Sequence, residues 1–251
     1  MIKVGIIGAT GYAGAELVRL ITTHPQAEIV AISSVSFEGQ KISDVYRSYV
    51  NINDMICENA DDVVEKAEVI FAALPHGLSQ ELAKKCYDND KVFIDLGADF
   101  RLKSEEEYKE WYKGEYVHKE LHDMAVYGLP EFYRDKIKGA KIIANPGCYT
   151  TCSPLALVPA LNAGVIDTKG IICDCKSGVT GEQTLTSFAD EKVTITFVPH
   201  LLPVNRGILA TCYAPLKKDI TMEELRKIYQ DFYKGEYFIR LLDDGQVADI
   251  H

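Results

Sequence analysis

The segment 145–151, NPGCYTT, contains the residue types with the clearest chemical potential in this sequence. It follows a short apolar run, Lys141–Ala144, that predicts a strand, and its proline and glycine favour a sharp turn. The apolar stretch Cys148–Asn162 predicts a helix, so Cys148 begins that helix. Free N–H groups and the helix dipole favour a thiolate there, and a thiolate is a nucleophile suited to an acyl carbon. Asn145 and the N–H groups of the helix start are candidate donors to the oxyanion, and Asn145 is also a candidate substrate contact.

A second chemical motif lies near the N-terminus, at residues 8–14, GATGYAG. It follows the predicted strand Ile2–Ile7 and opens a segment with helical apolar spacing. Small residues there allow a tight turn and a close approach of a pyrophosphate to the helix N-terminus. Its GxxGxxG spacing is a variant of the GxGxxG pattern, and it predicts a dinucleotide site. The candidate cofactor contacts are Gly8, Thr10, Gly11, Tyr12, Ala13 and Gly14.

The end of the second predicted strand, Glu28–Ser33, bears on the choice of cofactor. NAD sites usually have an acid there to hold the ribose 2′-hydroxyl, whereas this strand ends in Ser33 and Ser34. Hydroxyl groups can donate to a 2′-phosphate that a carboxylate would repel. NADP(H) is therefore favoured over NAD, with Ser33 and Ser34 as candidate contacts.

Two further loops follow predicted strands, and ligands of parallel sheets bind at that edge. Leu74, at the end of the predicted strand Val69–Leu74, and Pro75 and His76 after it are candidate cofactor contacts, through the loop backbone more than through the imidazole. Arg101 follows the strand Val92–Leu96 and is a candidate clamp for a substrate carboxylate or phosphate. A structural ion pair of Arg101 with Asp99 or another acid is an equally open interpretation.

The order of elements predicts an α/β fold. Apolar strands separated by helices predict a Rossmann-type, doubly wound parallel sheet in the first part of the chain. After the helix Cys148–Asn162 the strands are no longer regularly separated by helices, which predicts an α+β catalytic domain. We expect a cofactor-binding domain over 1–147 and a catalytic and dimerisation domain over 148–251.

Composition limits the partners. The 251 residues have a net charge of −10, which argues against nucleic acid and anionic membranes as partners. Neither a signal peptide nor an apolar run of about 20 residues is visible, so we expect a cytoplasmic protein that binds no membrane. The seven cysteines lack metal-type spacing, predicting no metal site, and six of them suit packing roles as reduced thiols.

Four motifs together, IGATGYAGAEL, ANPGCYTT, SGVTG and FVPHLLPVNRGIL, resemble those of the N-acetyl-γ-glutamyl-phosphate reductases of arginine biosynthesis, over nearly the whole chain. The resemblance implies a Rossmann domain followed by a catalytic domain of the semialdehyde and glyceraldehyde-phosphate dehydrogenase kind. It implies NADPH-dependent reductive dephosphorylation of an acyl phosphate through a thioester on Cys148, in a homo-oligomer, a dimer or tetramer. Further expected contacts are Ser177 and Gly178 for the cofactor, and His200, Asn205 and Arg206 for the substrate, with Ser177 a candidate there as well.

The sequence departs from the family pattern after Gly181. The family has a glycine- and basic-rich loop there, then a histidine motif of the HRHxPE kind that supplies the general acid/base, whereas Glu182 follows Gly181 directly. The family's C-terminal strand and helix also have no counterpart before His251. A substrate one methylene longer, as in the lysine pathway, stays open, and so does aspartate-semialdehyde dehydrogenase, although NPGCY disfavours it. A dinucleotide-binding regulator without catalysis is the alternative outside the enzymes.

Overall fold

The computed structural model describes residues 1–176, 192–201 and 207–247, and the chain divides into two compact units, Met1–Pro146 and Gly147–His251. The first unit contains a seven-stranded sheet in the order β3-β2-β1-β4-β5-β7-β6, with every pair parallel. Its strands are Ile2–Ile7 (β1), Ala27–Ser33 (β2), Cys57–Glu58 (β3), Val69–Ala72 (β4), Val92–Asp95 (β5), Val126–Tyr127 (β6) and Ile142–Ala144 (β7).

Seven α-helices and one 3₁₀ helix connect the described strands of this unit. The α-helices are Tyr12–Thr22 (α1), Ile42–Val45 (α2), Ala60–Lys66 (α3), Gln80–Asp88 (α4), Glu105–Tyr112 (α5), Lys119–Met124 (α6) and Pro130–Ile137 (α7). The 3₁₀ helix is Arg47–Tyr49. The predicted doubly wound sheet is confirmed. Strands β3 and β6 and helices α2, α6 and α7 were not predicted, because two-residue strands and helices of four to eight residues are too short for a recognisable apolar period.

Apolar side chains cover both faces of the sheet. Along β1, Val4 and Ile6 pack into one buried cluster and Ile7 into another. On β4, Ile70 belongs to the cluster of Ile7, whereas Phe71 packs against the other. Successive strand residues point to opposite faces, so this division shows that helices cover the sheet on both sides.

Strand order reverses between β1 and β4. The chain moves from β1 to β2 and β3 on one side, and continues from β4 to β5, β7 and β6 on the other. The carboxyl ends of neighbouring strands diverge at such a switch point, and ligands of open α/β sheets bind in the crevice that results. The loops that follow β1 and β4 therefore lie where a cofactor is expected.

The second unit contains a three-stranded sheet and two helices in its described part. Strand β8, Ile171–Lys176, lies between the parallel strand β9, Ile195–His200, and the antiparallel strand β10, Leu209–Tyr213. The helices are α8, Cys148–Asn162, and α9, Met222–Phe232. This mixed sheet with helices agrees with the predicted α+β class. None of the helices in the described ranges is long and apolar enough to cross a membrane.

Tyrosines of the α9 region hold it against α8. Helix α8 contains Pro159, which lacks the N–H that would bond the carbonyl of Leu155 four residues earlier. The Tyr233 hydroxyl donates to that carbonyl at 2.6 Å, and Tyr229 donates to the carbonyl of Ala156 at 2.5 Å. A tertiary contact thus replaces the helical hydrogen bond that the proline removes.

Candidate functional site

The turn between β1 and α1 owes its shape to two glycines. Gly8 has φ +82°, and a Cβ on it would lie 2.4 Å from the carbonyl oxygen of Ala73 at the end of β4. A Cβ on Gly14 would lie 2.1 Å from the Gly8 carbonyl oxygen, so α1 packs directly on the turn. The N–H groups of Gly8 and Ala9 both donate to the carbonyl of Ser33, at 3.0 and 2.9 Å. Larger residues are therefore excluded at positions 8 and 14 by the protein itself.

Gly11 differs from these two glycines and provides a test of whether a dinucleotide fits. It is exposed, and among the described residues a Cβ on it would meet only the Gly8 carbonyl oxygen, at 3.4 Å, an ordinary contact distance. Helix α1 starts after Gly11 with no side-chain cap and no acidic residue in its first turn. Tyr12 and Ala13 are exposed beside it. Open space next to uncapped N–H groups fits the pyrophosphate of a dinucleotide.

The hydroxyl groups at the end of β2 lie inside this arrangement. Ser33 and Ser34 are each only 3% exposed, and the Ser34 hydroxyl is 2.6 Å from that of Thr10. The carbonyl of Thr10 accepts a hydrogen bond from Tyr46 at 2.8 Å. Ser34, Thr10 and Tyr46 thus join β2, the glycine turn and α2, and the role of Ser33 and Ser34 at a 2′-phosphate stays a prediction.

The loop after β4 lies beside the glycine turn. The N–H of Ala73 donates to the Ile7 carbonyl at 2.8 Å, which continues the pairing of β4 with β1 by one residue. Leu74 is partly buried, whereas Pro75 and His76 are exposed, and the His76 ring lies 5.6 Å from that of Tyr112. The candidate cofactor contacts that the sequence predicted after β1 and β4 are thus brought together at the switch point.

Asp99 is a residue of this site that the sequence reasoning considered only as a partner of Arg101. It is fully buried, and its carboxylate accepts hydrogen bonds from the N–H groups of Gly77 and Ser79 and from the hydroxyl of Tyr108. The signal that could have found it is an acid in the loop four residues after β5, at the ligand-binding edge of the sheet.

Arg101 bonds main-chain oxygens at this edge of the sheet. Its Nε donates to the carbonyl of Asn145 at 2.8 Å, and its Nη2 donates to the carbonyl of Leu96 at 2.7 Å. It thereby ties the segment after β5 to the residue that follows β7. The Asn145 N–H donates to the Asp95 carbonyl at 2.9 Å, and its side-chain amide donates to the carbonyl of Pro146 at 3.1 Å. Substrate binding by Arg101 and by Asn145 stays a prediction.

In the second unit, Cys148 is the first residue of α8, as the sequence predicted. Gly147 precedes it in an extended conformation without a capping side chain, and the first turn has no acidic residue. The hydroxyls of Thr150 and Thr151 donate back to the Gly147 carbonyl, each at 2.9 Å, so they stabilise this end of the helix. A cysteine at the first residue of a helix is in a position typical of catalytic nucleophiles.

Exposure separates Cys148 from the other six cysteines, because it alone of the seven is exposed. Burial raises the pKa of the Cys86 thiol to about 12, and burial also raises the pKa of Cys57, Cys152 and Cys175. Cys173 and Cys212 face each other across β8 and β10. A nucleophile needs an accessible sulfur, and Cys148 is the most accessible of the seven cysteines, since Cys152 and Cys212 are partly buried and the other four are buried.

His200 ends β9, and its Nδ1 lies 3.2 Å from the Asp174 carboxylate on the neighbouring β8. Its ring is half exposed, and its role at the substrate stays a prediction. Four other candidates lie outside the described residues, namely Ser177, Gly178, Asn205 and Arg206.

Comparison with family models defines the class to which this fold and site belong. Residues 3–140 match the semialdehyde dehydrogenase NAD binding domain, and residues 148–182 and 182–251 match the semialdehyde dehydrogenase dimerisation domain. Solved structures have the same fold: aspartate semialdehyde dehydrogenase with NADP from Candida albicans is 16% identical, with a TM-score of 0.66 over 91% of this chain and 75% of that one. The Vibrio cholerae enzyme II complexed with ASA is 17% identical, with a TM-score of 0.63 over 91% and 76%.

Closer relatives narrow the class to one family. The N-acetyl-γ-glutamyl-phosphate reductase of Clostridium beijerinckii is 49% identical over the whole of this chain and 82% of its own length. Those of Moorella thermoacetica and Acetivibrio thermocellus are 44% and 42% identical over 98% and 99% of this chain, and over 81% and 82% of their own lengths. The chain belongs to the N-acetyl-γ-glutamyl-phosphate reductase family.

Proposed function

We propose that this protein is an NADPH-dependent reductase of N-acetyl-γ-glutamyl phosphate, which forms N-acetylglutamate semialdehyde and phosphate. The observation that carries the proposal is Cys148, the one exposed cysteine, at the first residue of a helix with no acidic first turn. The relatives bear the name of this reductase, which supports the choice of substrate.

The cofactor is held in this proposal by the first unit. Gly11 leaves room for the pyrophosphate, and the N–H groups at the start of α1 bind it. The loop of Leu74, Pro75 and His76 contacts the cofactor on the β4 side of the switch point. NADPH, when bound, supplies the hydride that takes the acyl group to the aldehyde level.

The chemistry of the acyl group belongs to Cys148. Its thiolate attacks the carbonyl carbon of the acyl phosphate, and the N–H groups at the start of α8 stabilise the negative charge on the carbonyl oxygen. The C–O bond to phosphate then breaks, phosphate leaves with the electron pair, and a thioester on the Cys148 sulfur remains. After reduction, cleavage of the C–S bond of the thiohemiacetal releases the aldehyde and regenerates the thiolate.

The reverse reaction tests this proposal most directly. Phosphate-dependent NADP⁺ reduction is measured with N-acetylglutamate semialdehyde for the wild type, Cys148→Ala and Cys152→Ala. Cys152 lies one turn further into α8 and is a matched control because it is partly buried. We expect activity in the wild type and in Cys152→Ala, and a loss of more than about 10³-fold in Cys148→Ala. Equal activity in both variants would exclude the thioester route.

A homo-oligomer in the cytoplasm is part of the same proposal. The match of residues 148–251 to a dimerisation domain supports self-association, and the net charge of −10 supports a small-molecule substrate in preference to nucleic acid or membrane.

One observation favours a second candidate function, a dinucleotide-binding regulator. The alignment with the C. beijerinckii reductase runs over 282 positions against 251 residues here, and the dimerisation model matches in two pieces that meet at residue 182. That position is where the family's histidine motif is expected. Tight NADPH binding together with no turnover of N-acetylglutamate semialdehyde, and slow alkylation of Cys148, would favour the regulator.

A further inference from the structure

The loop after β4 has few side-chain contacts of its own to define its shape. Pro75, His76, Gly77 and Leu78 are exposed, and within the described ranges a Cβ on Gly77 would have no heavy atom within 4 Å beyond its own residue and its two chain neighbours. Gly77 also has φ +86°, a conformation that other residues rarely adopt. A loop of this kind requires backbone hydrogen bonds to stay in one conformation.

Asp99 supplies those hydrogen bonds. Its Oδ1 accepts from the N–H of Gly77 at 2.6 Å, and its Oδ2 accepts from the N–H of Ser79 at 2.9 Å. Hydrogen bonds to a carboxylate are about twice as strong as those between neutral groups, and burial strengthens them further. Both anchored residues lie in the loop that borders the glycine turn at the switch point.

Asp99 is itself held in place from the opposite side. The hydroxyl of Tyr108 on α5 donates to its Oδ1 at 2.8 Å, and the Tyr108 ring is fully buried between those of Tyr112 and Tyr116, with centroids 5.5 and 5.4 Å away. The Tyr112 ring also lies 5.6 Å from His76, within the loop. The carboxylate is thus fixed between a buried aromatic cluster and the backbone of the loop.

We propose that Asp99 is a positioning residue for the cofactor, because its carboxylate fixes the conformation in which the loop 74–79 contacts NADPH. The proposal rests on the proposed function only in taking NADP(H) as the cofactor. Asp99 does not touch the substrate or the cofactor in this scheme, and it acts through the N–H groups of Gly77 and Ser79.

Asp99→Asn tests the proposal, since the amide has nearly the same shape but one acceptor oxygen becomes an NH₂ group. In either orientation of the amide, its NH₂ group faces another hydrogen-bond donor: the Ser79 N–H on one side, or the Gly77 N–H and the Tyr108 hydroxyl on the other. We expect the dissociation constant of NADPH, measured by its fluorescence on titration, to rise about tenfold. The KM for NADP⁺ should rise similarly, and the KM for N-acetylglutamate semialdehyde should change less than about twofold.

Tyr108→Phe is the matched control. It removes one hydrogen bond to the same buried carboxylate but leaves both N–H donors of the loop in place, and the ring packing is kept. If Asp99 had only a structural role, both variants would lower the melting temperature and leave the NADPH affinity unchanged. The positioning role predicts a similar loss of thermal stability, with weakened NADPH binding in Asp99→Asn alone.

The outcomes separate this inference from the proposed function. Wild-type protein that binds NADPH but does not turn over the semialdehyde contradicts the substrate assignment and leaves the test of Asp99 readable by fluorescence. Equal NADPH affinity in the wild type and Asp99→Asn overturns the positioning role, as does equal weakening in Asp99→Asn and Tyr108→Phe. Wild-type protein without NADPH affinity overturns both.

Discussion

Both carboxylate oxygens of Asp99 accept hydrogen bonds, whereas only one of the two in Asp95 does so among the described residues. Its Oδ1 accepts hydrogen bonds from the Ser79 hydroxyl at 2.7 Å and the Gly97 N–H at 3.0 Å, whereas its Oδ2 has no partner among the described residues. Burial raises the pKa of Asp95 from its usual 3.8 to about 6. The folded protein therefore keeps this proton to a higher pH than the unfolded chain does, and stability falls as the pH rises from about 4 to about 6.

This difference predicts a pH-dependent effect of Asp95→Asn. A folded pKa above the unfolded value gives stability that is fully present below about pH 4 and is lost as the pH rises through about 6. The neutral amide does not ionise and has no such loss. We therefore expect the free energy of unfolding of the variant, relative to that of the wild type, to rise by on the order of 2 kcal/mol between pH 4 and pH 7. Urea unfolding of both proteins at pH 4 and pH 7 measures it. A difference in unfolding free energy that is the same at both values contradicts the expectation.

Cys148 is the residue for which accessibility decides the chemistry. Because it alone of seven cysteines is exposed, iodoacetamide should label it first in the native protein, and peptide mass spectrometry should find one modified site. Cys148→Ala should remove this fast phase, and Cys152→Ala should retain it. Fast labelling of Cys152 or Cys212 would show that helix position does not set the reactivity.

At the scale of elements, the glycines of the turn between β1 and α1 have separable roles. Gly14→Ala would place a methyl group 2.1 Å from the Gly8 carbonyl oxygen, so we expect it to destabilise the fold by about 3 kcal/mol. In Gly11→Ala the one close contact of the new methyl group with the described part of the chain is the Gly8 carbonyl oxygen, at 3.4 Å. The variant should therefore fold normally, but its methyl group occupies the space assigned to the pyrophosphate. We expect it to weaken NADPH binding at least about tenfold. Thermal melting and NADPH titration measure the two effects, and normal NADPH affinity in Gly11→Ala would place the pyrophosphate elsewhere.

The contact between the α9 region and α8 gives a second prediction for elements. Tyr233→Phe leaves the Leu155 carbonyl without a donor, since Pro159 has no N–H, and we expect a loss of about 2 kcal/mol. Tyr229→Phe should cost about 1 kcal/mol or less, because the Ala156 carbonyl retains its helical donor. Denaturant unfolding compares the two variants, and equal losses would show that the proline has no part in the effect.

At the scale of the whole molecule, the proposed homo-oligomer predicts a role for one face of the second sheet. Ile172, Leu209 and Tyr213 lie on neighbouring strands, are more than two-fifths exposed and share a face opposite the buried Cys173 and Cys175. Exposed apolar side chains on a sheet are typical of a surface that another chain covers.

We expect the wild type to sediment as a dimer or larger, and Leu209→Asp to shift it toward the monomer, because a buried unpaired carboxylate is costly. Leu216→Asp is a control, since Leu216 is similarly exposed but lies outside the strands of this sheet. Sedimentation velocity measures both, and an unchanged oligomer in Leu209→Asp would place the interface on another surface.

The sequence by itself determined those features that depend on local periodicity and on backbone constraints. Apolar runs and turn residues predicted β1 and α8 with their observed limits. The glycine spacing at 8–14 required a close approach of helix and strand, which is local steric chemistry. Cys148 at a helix start followed from the same reasoning.

Only the tertiary structure decided what distant segments do for one another. Helix α5 has an acidic first turn, which is typical of a solvated helix, yet Tyr108 from it is fully buried and donates to Asp99. Likewise, Arg101 reaches the carbonyl of Asn145, 44 positions away, and Ser34 reaches Thr10. Such contacts depend on strand order and on the direction of each side chain, because residues far apart in sequence leave no local pattern of their pairing.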